Sequence, residues 1–403
     1  MTDAQIKQWQ QQWDSYVARL APLFARSEPR EQAAKYLRGL LAPVERKNGW
    51  QMAEQLGDAD PQKMQRLLYG YDWDADAALE LNLEFVSQEF GSDEAIGIVD
   101  ETGFIKQGTR SVGVQRQYSG TMGKKGNCQV AVFLSYASAK GHVLLDRRLY
   151  LPEHGWADDE VRRKQAQVPD ELEFATRQAQ ASAMLQHAWA KGVPMRWVTG
   201  DEIYGDTAAL RTLVHDAGKL YVFAVACSTP VWRTRPRTEA AYSPATGRPR
   251  KYARVFSGEA DWQRADQLAA SGELAWQRFS TGAGAKGERL FDWARVRVVE
   301  REDHLPARDA WLLIRRSISK PTELAYYLSN ADETVSLVEL ARVAATRWTI
   351  EMCFAEAKSE VGLDQYEVRL YHSWYRHITL AMIAHAWLAY TRLHSGEKKQ
   401  VQT

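Results

Sequence analysis

The 403-residue chain has an ordinary globular composition, with 45% hydrophobic and 26% charged residues, which excludes a mainly disordered, collagen-like or coiled-coil protein. Its 52 Lys and Arg nearly balance its 51 Asp and Glu, so a uniformly basic nucleic-acid coat is excluded and any DNA must be met by local patches. The length allows roughly two or three domains.

The cysteine spacing and the distribution of apolar residues indicate the cellular compartment of the protein. Cys128, Cys227 and Cys353 lie far apart at no zinc-ligand spacing, which indicates buried thiols in a reducing compartment. The first residues lack the apolar core of a signal peptide, and no stretch approaches the roughly 18 apolar residues of a membrane helix. We therefore expect a cytoplasmic protein with no membrane partner.

Residues 1–92 are predicted to be helical throughout, from their apolar periodicity. Residues 48–70 contain two short amphipathic helices broken at Gly57-Asp58, with Pro61 near the start of the second. One interpretation is a DNA-binding helix-turn-helix, whose groove-facing residues would be Lys63, Gln65 and Arg66. The other, which the weak spacing signature favours, is an ordinary helical bundle.

Five short apolar runs follow between Ala95 and Ser228, with helical segments before and after the fourth. This alternation indicates a mixed α/β sheet covered by helices. Short Gly-containing turns link the first three runs, which predicts antiparallel hairpins before any crossover. Residues 93–228 are therefore predicted to be α/β.

Residues 229–335 are predicted to be a β-rich insertion with flexible basic loops, and residues 336–395 return to helix before a polar tail at 396–403. The loops mix positive charge, which binds a nucleic-acid backbone, with aromatic rings, which stack on exposed bases. The alternative is a solvated charged surface. The DNA-binding residues predicted here are Arg235, Arg237, Arg248, Arg250 and Lys251.

Two predicted strands end in an acidic pair, Asp100-Glu101 and Asp201-Glu202. Successive side chains of a strand point to opposite faces, so only one residue of each pair can face a shared site. Each pair could simply cap a helix or form a turn. Carboxylates at neighbouring strand ends repel unless a cation lies between them, so a site for a hard cation is the competing interpretation.

A late helix supplies a third carboxylate. Projected at about 100° per residue, it has an apolar stripe bordered by Glu351 with a cation on either side. The stripe comprises Ile350, Cys353, Ala357 and Val361, and the cations are Arg347 and Lys358. Glu351 could bind a metal and the cations a phosphate, or all three could form a surface salt-bridge ladder.

The loop GTMGKKGN offers Lys124, Lys125 and flexible Gly backbone between two strands. It could bind a phosphate or be a solvated hairpin tip.

Together, Asp100, Asp201 and Glu351 resemble the acidic triad of ribonuclease-H-like nucleotidyl transferases. The chain is most similar to DDE transposases of bacterial insertion sequences, in the cut-and-paste group with a YREK signature. Arg347, Glu351 and Lys358 take the Arg, Glu and Lys places, whereas Ala344 stands at the Tyr place. The segments IVDETGF, VTGDEIYG and GLDQYEVRLYHSWYRHITLAM also look like one transposase subfamily.

The resemblance implies a fold and an organisation. The expected fold is an α/β, ribonuclease-H-like mixed sheet with flanking helices, a mainly β insertion and an all-α N-terminal region. Residues 93–228 would be the first part of the catalytic core and 336–395 its second part. The insertion at 229–335 is expected to grip transposon-end DNA, and the N-terminal region could bind DNA as well.

The resemblance also implies an activity. The expected protein is a transposase that binds terminal inverted repeats, then cleaves and transfers DNA strands with two Mg²⁺ ions, or Mn²⁺ in their place, on Asp100, Asp201 and Glu351. Its partners would be the double-stranded DNA of transposon ends and target, with a homodimer on the DNA. It would work in the bacterial cytoplasm, at the nucleoid when bound. The alternative is a domesticated or catalytically silent relative that binds DNA sequence-specifically.

Overall fold

The computed structural model describes residues 3–242, 252–271, 274–284 and 287–395, and the chain divides into two compact units. The first unit comprises Met1–Asp93, Asp100–Pro194 and Thr349–Lys399. The second unit comprises Glu94–Val99 and Met195–Trp348. The domain boundaries expected from the sequence stay predictions.

The helices in the described residues are named in chain order. They are α1 (Asp3–Ala18), α2 (Ser27–Leu41), α3 (Gly49–Gln55), α4 (Gln62–Tyr69), α5 (Ala75–Phe90), α6 (Glu160–Gln165), α7 (Arg177–Ala190), α8 (Glu202–Gly205), α9 (Ala208–Asp216), α10 (Ala265–Ala270), α11 (Leu337–Thr346), α12 (Trp348–Val361) and α13 (Tyr371–His394). None of these described helices is long and apolar enough to span a membrane.

The strands in the described residues are named in the same way. They are β1 (Ile96–Ile105), β2 (Gln115–Ser119), β3 (Lys124–Ser138), β4 (Gly141–Tyr150), β5 (Trp197–Gly200), β6 (Leu220–Val225), β7 (Pro230–Trp232), β8 (Thr238–Glu239), β9 (Arg254–Val255), β10 (Gln263–Arg264), β11 (Gln277–Gly284), β12 (Gly287–Glu302), β13 (Leu305–Ser317) and β14 (Leu324–Ser329).

Helices α1–α5 confirm the all-α N-terminal region, and local signals explain their ends. The Asn48 side chain accepts hydrogen bonds from two backbone amides at the start of α3, and the Asp74 side chain accepts one from the amide of Asp76 at the start of α5. The predicted break lies between α3 and α4, where Gly57 adopts a φ of +73° that favours glycine.

Helix α13 forms the core of the first unit, since it is buried along most of its length and packs on α2, α4, α5 and β4. The hydroxyl of Tyr36 lies 2.8 Å from Nδ1 of His377. The guanidinium of Arg376 donates hydrogen bonds to the carbonyls of Leu68 and Trp73. The N-terminal helices are therefore fastened to α13 by polar contacts as well as by apolar packing.

The sheet of the first unit is built around β3, which pairs antiparallel with both β2 and β4 and lies next to β1 in strand order. Strand β3 is buried on both faces over most of its length, which explains its nearly continuous apolar sequence. Helix α7 packs on β3, and α5 and α13 pack on β4.

In the second unit, Ile96–Val99 of β1 pair in parallel with β5, and β5 pairs in parallel with β6. From β6 the strand order continues antiparallel through β14, β13, β12, β7 and β10. The mixed sheet, its flanking helices and the mainly β segment after β6 confirm the predicted α/β fold class. The strand runs β4–β3–β1 and β1–β5–β6 are consistent with a ribonuclease-H-like arrangement.

Candidate active site

Strand β1 carries the first candidate carboxylate, directly after four buried residues. Asp100 is half-buried, and its Oδ1 accepts a hydrogen bond of 2.8 Å from the backbone amide of Glu101. The Glu101 carboxylate forms an ion pair with Arg177, with 2.6 Å between Oε1 and Nη1. Because successive strand residues face opposite ways, Asp100 lies on the other face and is the candidate of this pair.

Asp201 follows β5 and is the N-cap of α8, with its Oδ1 accepting a 3.0 Å hydrogen bond from the amide of Ile203. The helix-cap interpretation is thus confirmed for Asp201. A carboxylate has about four lone-pair sites, so a cap does not exclude a role as a cation ligand. The adjacent Glu202 is exposed to solvent.

Two glycines allow the backbone around Asp201 to pack closely within the second unit. A Cβ on Gly205 would lie 1.8 Å from the carbonyl oxygen of Ala224, which explains the Gly that ends α8. A Cβ on Gly200 would lie 2.9 Å from a methyl group of Val99, its partner in the parallel register. Asp100 and Asp201 each follow this Val99–Gly200 pair by one residue.

Helix α12 buries the stripe expected from the helical projection: Ile350, Cys353, Ala357 and Val361. Glu351 is half-buried and lies in the first turn, where the helix dipole favours a carboxylate. Arg347 is half-buried at the junction of α11 and α12. Ala344, at the Tyr place of the signature, is buried in α11.

Lys358 reaches from α12 to β1 within the first unit. Its Nζ lies 2.8 Å from Oγ1 of Thr102 and 3.2 Å from the carbonyl oxygen of Gly103. Burial lowers the pKa of Lys358, and the charge of Asp364 partly offsets this. Since Thr102 lies two residues after Asp100, both point to one face of β1. The structure therefore brings Lys358 to the face of β1 that carries Asp100.

Sequence reasoning missed two further residues beside this contact. The hydroxyl of Thr102 holds Lys358, and its place two residues after Asp100 on a strand was the signal for it. Lys106 is half-buried, and desolvation lowers its pKa to about 8. The Nζ of Lys106 donates to the carbonyl of Tyr366 at 3.1 Å and lies 3.5 Å from the centre of the Tyr366 ring.

The predicted DNA-binding residues lie in different surroundings. Lys124 and Lys125 are exposed at the start of β3. Arg235 and Arg237 are exposed, but each forms an ion pair: Arg235 with Asp309 at 3.1 Å and Arg237 with Glu259 at 2.6 Å. The residues that lie outside the described part of the chain are Arg248, Arg250 and Lys251.

Two observations bear on whether the candidate carboxylates could hold a metal ion. Within the described ranges, no three His, Cys, Asp or Glu side chains form a cluster arranged to hold a metal ion. The donor set of Asp100, Asp201 and Glu351 is nevertheless all carboxylate, which matches the preference of Mg²⁺ for oxygen ligands. The donor atoms of the three residues are therefore of the type that Mg²⁺ prefers.

Comparison with known proteins gives three results. Residues 19–288 match a family model described as DDE superfamily endonuclease. A probable transposase for insertion sequence element IS701 of Microchaete diplosiphon is 27% identical over 227 residues, which cover 56% of each protein. The chain thus spans about half the length of this relative. The NurA nuclease from Sulfolobus solfataricus has 8% sequence identity, covers 70% of this chain and 84% of its own, and has a TM-score of 0.26.

Proposed function

Because the chain belongs to the DDE superfamily of endonucleases, we propose that it is a transposase of an insertion sequence. It binds the terminal inverted repeats of the element, cleaves DNA at the element boundary and transfers the released strand to a target. The contact of Lys358 with Thr102, two residues along β1 from Asp100, carries this proposal. A phosphate-binding cation and a metal-binding carboxylate on one strand face suit phosphodiester chemistry.

The proposed ligands of two Mg²⁺ ions, or of Mn²⁺ in their place, are Asp100, Asp201 and Glu351. Such ions, when bound, activate the attacking oxygen and stabilise the leaving oxygen of a phosphodiester. The contribution of the chain is to hold these hard oxygen donors on β1, at the end of β5 and on α12. The Asp201 cap on α8 fixes the direction of one of them.

The cations hold the DNA phosphates. Lys358 bonds only to neutral groups, a hydroxyl and a carbonyl, and has no ion pair in the part of the chain that the structure describes. Although the charge of Asp364 acts on Lys358, no carboxylate of the described residues is bonded to the ammonium, so a phosphate can bind it, and Thr102 keeps it directed along β1. Arg347 holds a second phosphate oxygen with the forked geometry of a guanidinium.

Other parts of the chain hold the DNA further from the reacting bond. Arg235 and Arg237 exchange their carboxylate partners for phosphates, and Arg248, Arg250, Lys251, Lys124 and Lys125 add positive charge. On α4, Lys63, Gln65 and Arg66 are exposed while Met64, Leu67 and Leu68 are buried, which suits a helix presented to DNA. Two chains act together because two transposon ends are joined. The complex works at the nucleoid in the bacterial cytoplasm.

The test is cleavage of labelled inverted-repeat DNA by the purified chain in Mg²⁺. We expect cuts at the element boundary that chelation of the metal abolishes. Asp201→Asn is the sharpest variant, because Asn caps a helix as well as Asp does and only the charge is lost. Asp100→Asn and Glu351→Gln complete the series, and Glu202→Gln, one residue from Asp201, is the matched control that keeps activity.

Tight binding without cleavage in either Mg²⁺ or Mn²⁺ would overturn the proposal. That outcome would favour a catalytically silent relative that binds DNA sequence-specifically. Terminal inverted repeats flanking the gene would support a mobile element, and their absence a domesticated protein.

A further inference from the structure

The hairpin formed by β2 and β3 has one outward face that is basic. Along β2, Arg116 and Tyr118 are exposed, whereas the alternate residues Gln117 and Ser119 are buried. Tyr118 pairs with Lys125 of β3, and residues directly opposite each other in an antiparallel pair share a face. The outward face therefore presents two cations and an exposed aromatic ring.

This face continues into a cleft of about 540 Å³ in the first unit, whose lining includes Arg116, Trp156 and Arg162. The Arg162 guanidinium donates to the carbonyls of Gly155, Thr109 and Val114, and lies 4.1 Å from the ring centre of Trp156. The indole of Trp156 donates in turn to the carbonyl of Val114 at 2.9 Å. A guanidinium fixed in this manner keeps its charge at one place in the cleft.

In the part of the chain that the structure describes, the exposed cations of this region lack direct ion pairs, although the carboxylates of Asp158 and Asp159 bind backbone amides beside the cleft. Within the described ranges, Arg110, Arg116 and Lys125 form no ion pair, and no Asp or Glu lines the cleft. By contrast, Arg235 and Arg237 in the second unit are each paired with a carboxylate. Exposed cations without ion pairs favour a partner with closely spaced negative charges.

The basic face begins beside the strand that carries Asp100. The hydroxyls of Thr121 and Thr102 are 3.4 Å apart, so the hairpin touches the residue that holds Lys358. A Cβ on Gly103 would lie 2.0 Å from Oγ of Ser119, which shows how closely β1 and the hairpin approach. A polymer that follows the hairpin therefore arrives at this part of β1.

We propose that the β2–β3 hairpin and the Arg110–Arg162 cleft bind the sugar–phosphate backbone of double-stranded DNA leading away from the Asp100 face of β1. This inference rests on the proposed function and adds the path that the DNA takes. The contacts are with phosphates, so the binding is independent of sequence and depends strongly on salt. In this arrangement the exposed ring of Tyr118, between the cations that bind phosphates, packs against the sugars of the DNA backbone.

The test measures the salt dependence of binding to a fluorescein-labelled duplex of arbitrary sequence, in buffer without divalent metal. The slope of log K against log salt is negative, and each lost phosphate contact reduces its magnitude by about 0.9, so we expect Arg116→Gln/Lys125→Gln to make the slope less negative by about 1.8. The charge-matched control is Lys7→Gln/Lys140→Gln, which removes two exposed cations elsewhere in the first unit and leaves the slope unchanged.

An unchanged slope in Arg116→Gln/Lys125→Gln, or an equal change in the control, would overturn the proposed path. If the same protein still cleaves inverted-repeat DNA, only this inference fails and the proposed function stands. Failure of the unmodified chain to bind any duplex would overturn both. Because the substituted side chains are exposed, circular dichroism is expected to show a native fold in both variants.

Discussion

The ammonium of Lys358 donates a hydrogen bond to the hydroxyl of Thr102, with 2.8 Å between Nζ and Oγ1. We predict that Thr102→Val lowers the rate of DNA cleavage about 10- to 100-fold, because a hydrogen bond to a charged group contributes roughly 1.5–3 kcal/mol. DNA affinity measured without metal is expected to change little. Thr102→Ser keeps the hydroxyl and is expected to retain most of the activity, so an equal loss in both variants would contradict this role.

Gly205 leaves no space for a side chain between α8 and β6. We predict that Gly205→Ala lowers the free energy of unfolding by roughly 1–3 kcal/mol, because a Cβ would lie 1.8 Å from the carbonyl oxygen of Ala224. Displacement of α8 also moves its cap Asp201, so DNA cleavage is expected to fall. Gly70→Ala is the control, since its Cβ would meet no atom closer than 3.5 Å. Equal stability of the two variants would argue against tight packing at Gly205.

His187 bridges two carboxylates, with Nδ1 3.3 Å from Asp146 and Nε2 2.7 Å from Glu80. The hydrogen bond with Asp146 raises the pKa of His187 above the ordinary value of 6.5, against the effect of burial, and Glu80 raises it further. The charged imidazole therefore stabilises the fold fully below pH 6.5, and this stabilisation is lost as the pH rises through the raised pKa. We predict a melting temperature that declines over this range.

The comparison of His187→Gln with His215→Gln isolates this effect. We expect His187→Gln to flatten the decline of melting temperature with pH, because the titrating imidazole is gone. His215 is exposed on α9, so His215→Gln is expected to keep the unmodified profile. A profile unchanged by His187→Gln would assign the decline to other groups.

The Glu300 carboxylate is a buried hub of the second unit. It accepts hydrogen bonds from the Arg211 guanidinium, at 2.8 Å, and from the Tyr221 hydroxyl, and Arg211 is only 3% exposed. We predict that Glu300→Ala lowers the free energy of unfolding, measured with urea, by about 3–5 kcal/mol. The reason is that the substitution leaves a buried cation without its partner. Asp309→Ala breaks the exposed ion pair with Arg235 and is expected to cost only about 0–1 kcal/mol. A similar loss of unfolding free energy in both variants would contradict a stabilising role for the buried Glu300 carboxylate.

The sequence predicted those features that depend on local periodicity. The apolar stripe of α12, from Ile350 to Val361, repeats every three to four residues, and its burial is confirmed. The break near Gly57 is visible because glycine permits a positive φ. The strand alternation that separates Asp100 from Glu101 is likewise a local property.

Pairing between distant side chains could not be predicted in this way. Thr102 and Lys358 are 256 residues apart in sequence, and nothing in either local pattern identifies the other. The ladder interpretation of α12 expected Lys358 to bond along its own helix, but its Nζ donates to the hydroxyl of Thr102 and the carbonyl of Gly103 on β1. The ion pair between Glu101 and Arg177 could not be predicted for the same reason, because the two residues meet only when α7 packs on the sheet.

The contact between Tyr36 and His377 joins residues that are 341 positions apart. During translation, α2 therefore leaves the ribosome long before α13 exists to cover it. A gene copy shortened before the codons of α13 is therefore expected to encode a protein whose early helices lack their packing partner, and which misfolds even when Asp100, Asp201 and Glu351 are intact. Protease digestion of ribosome-bound chains is expected to cut α2 and α4 until α13 has emerged; early protection would contradict this order of folding.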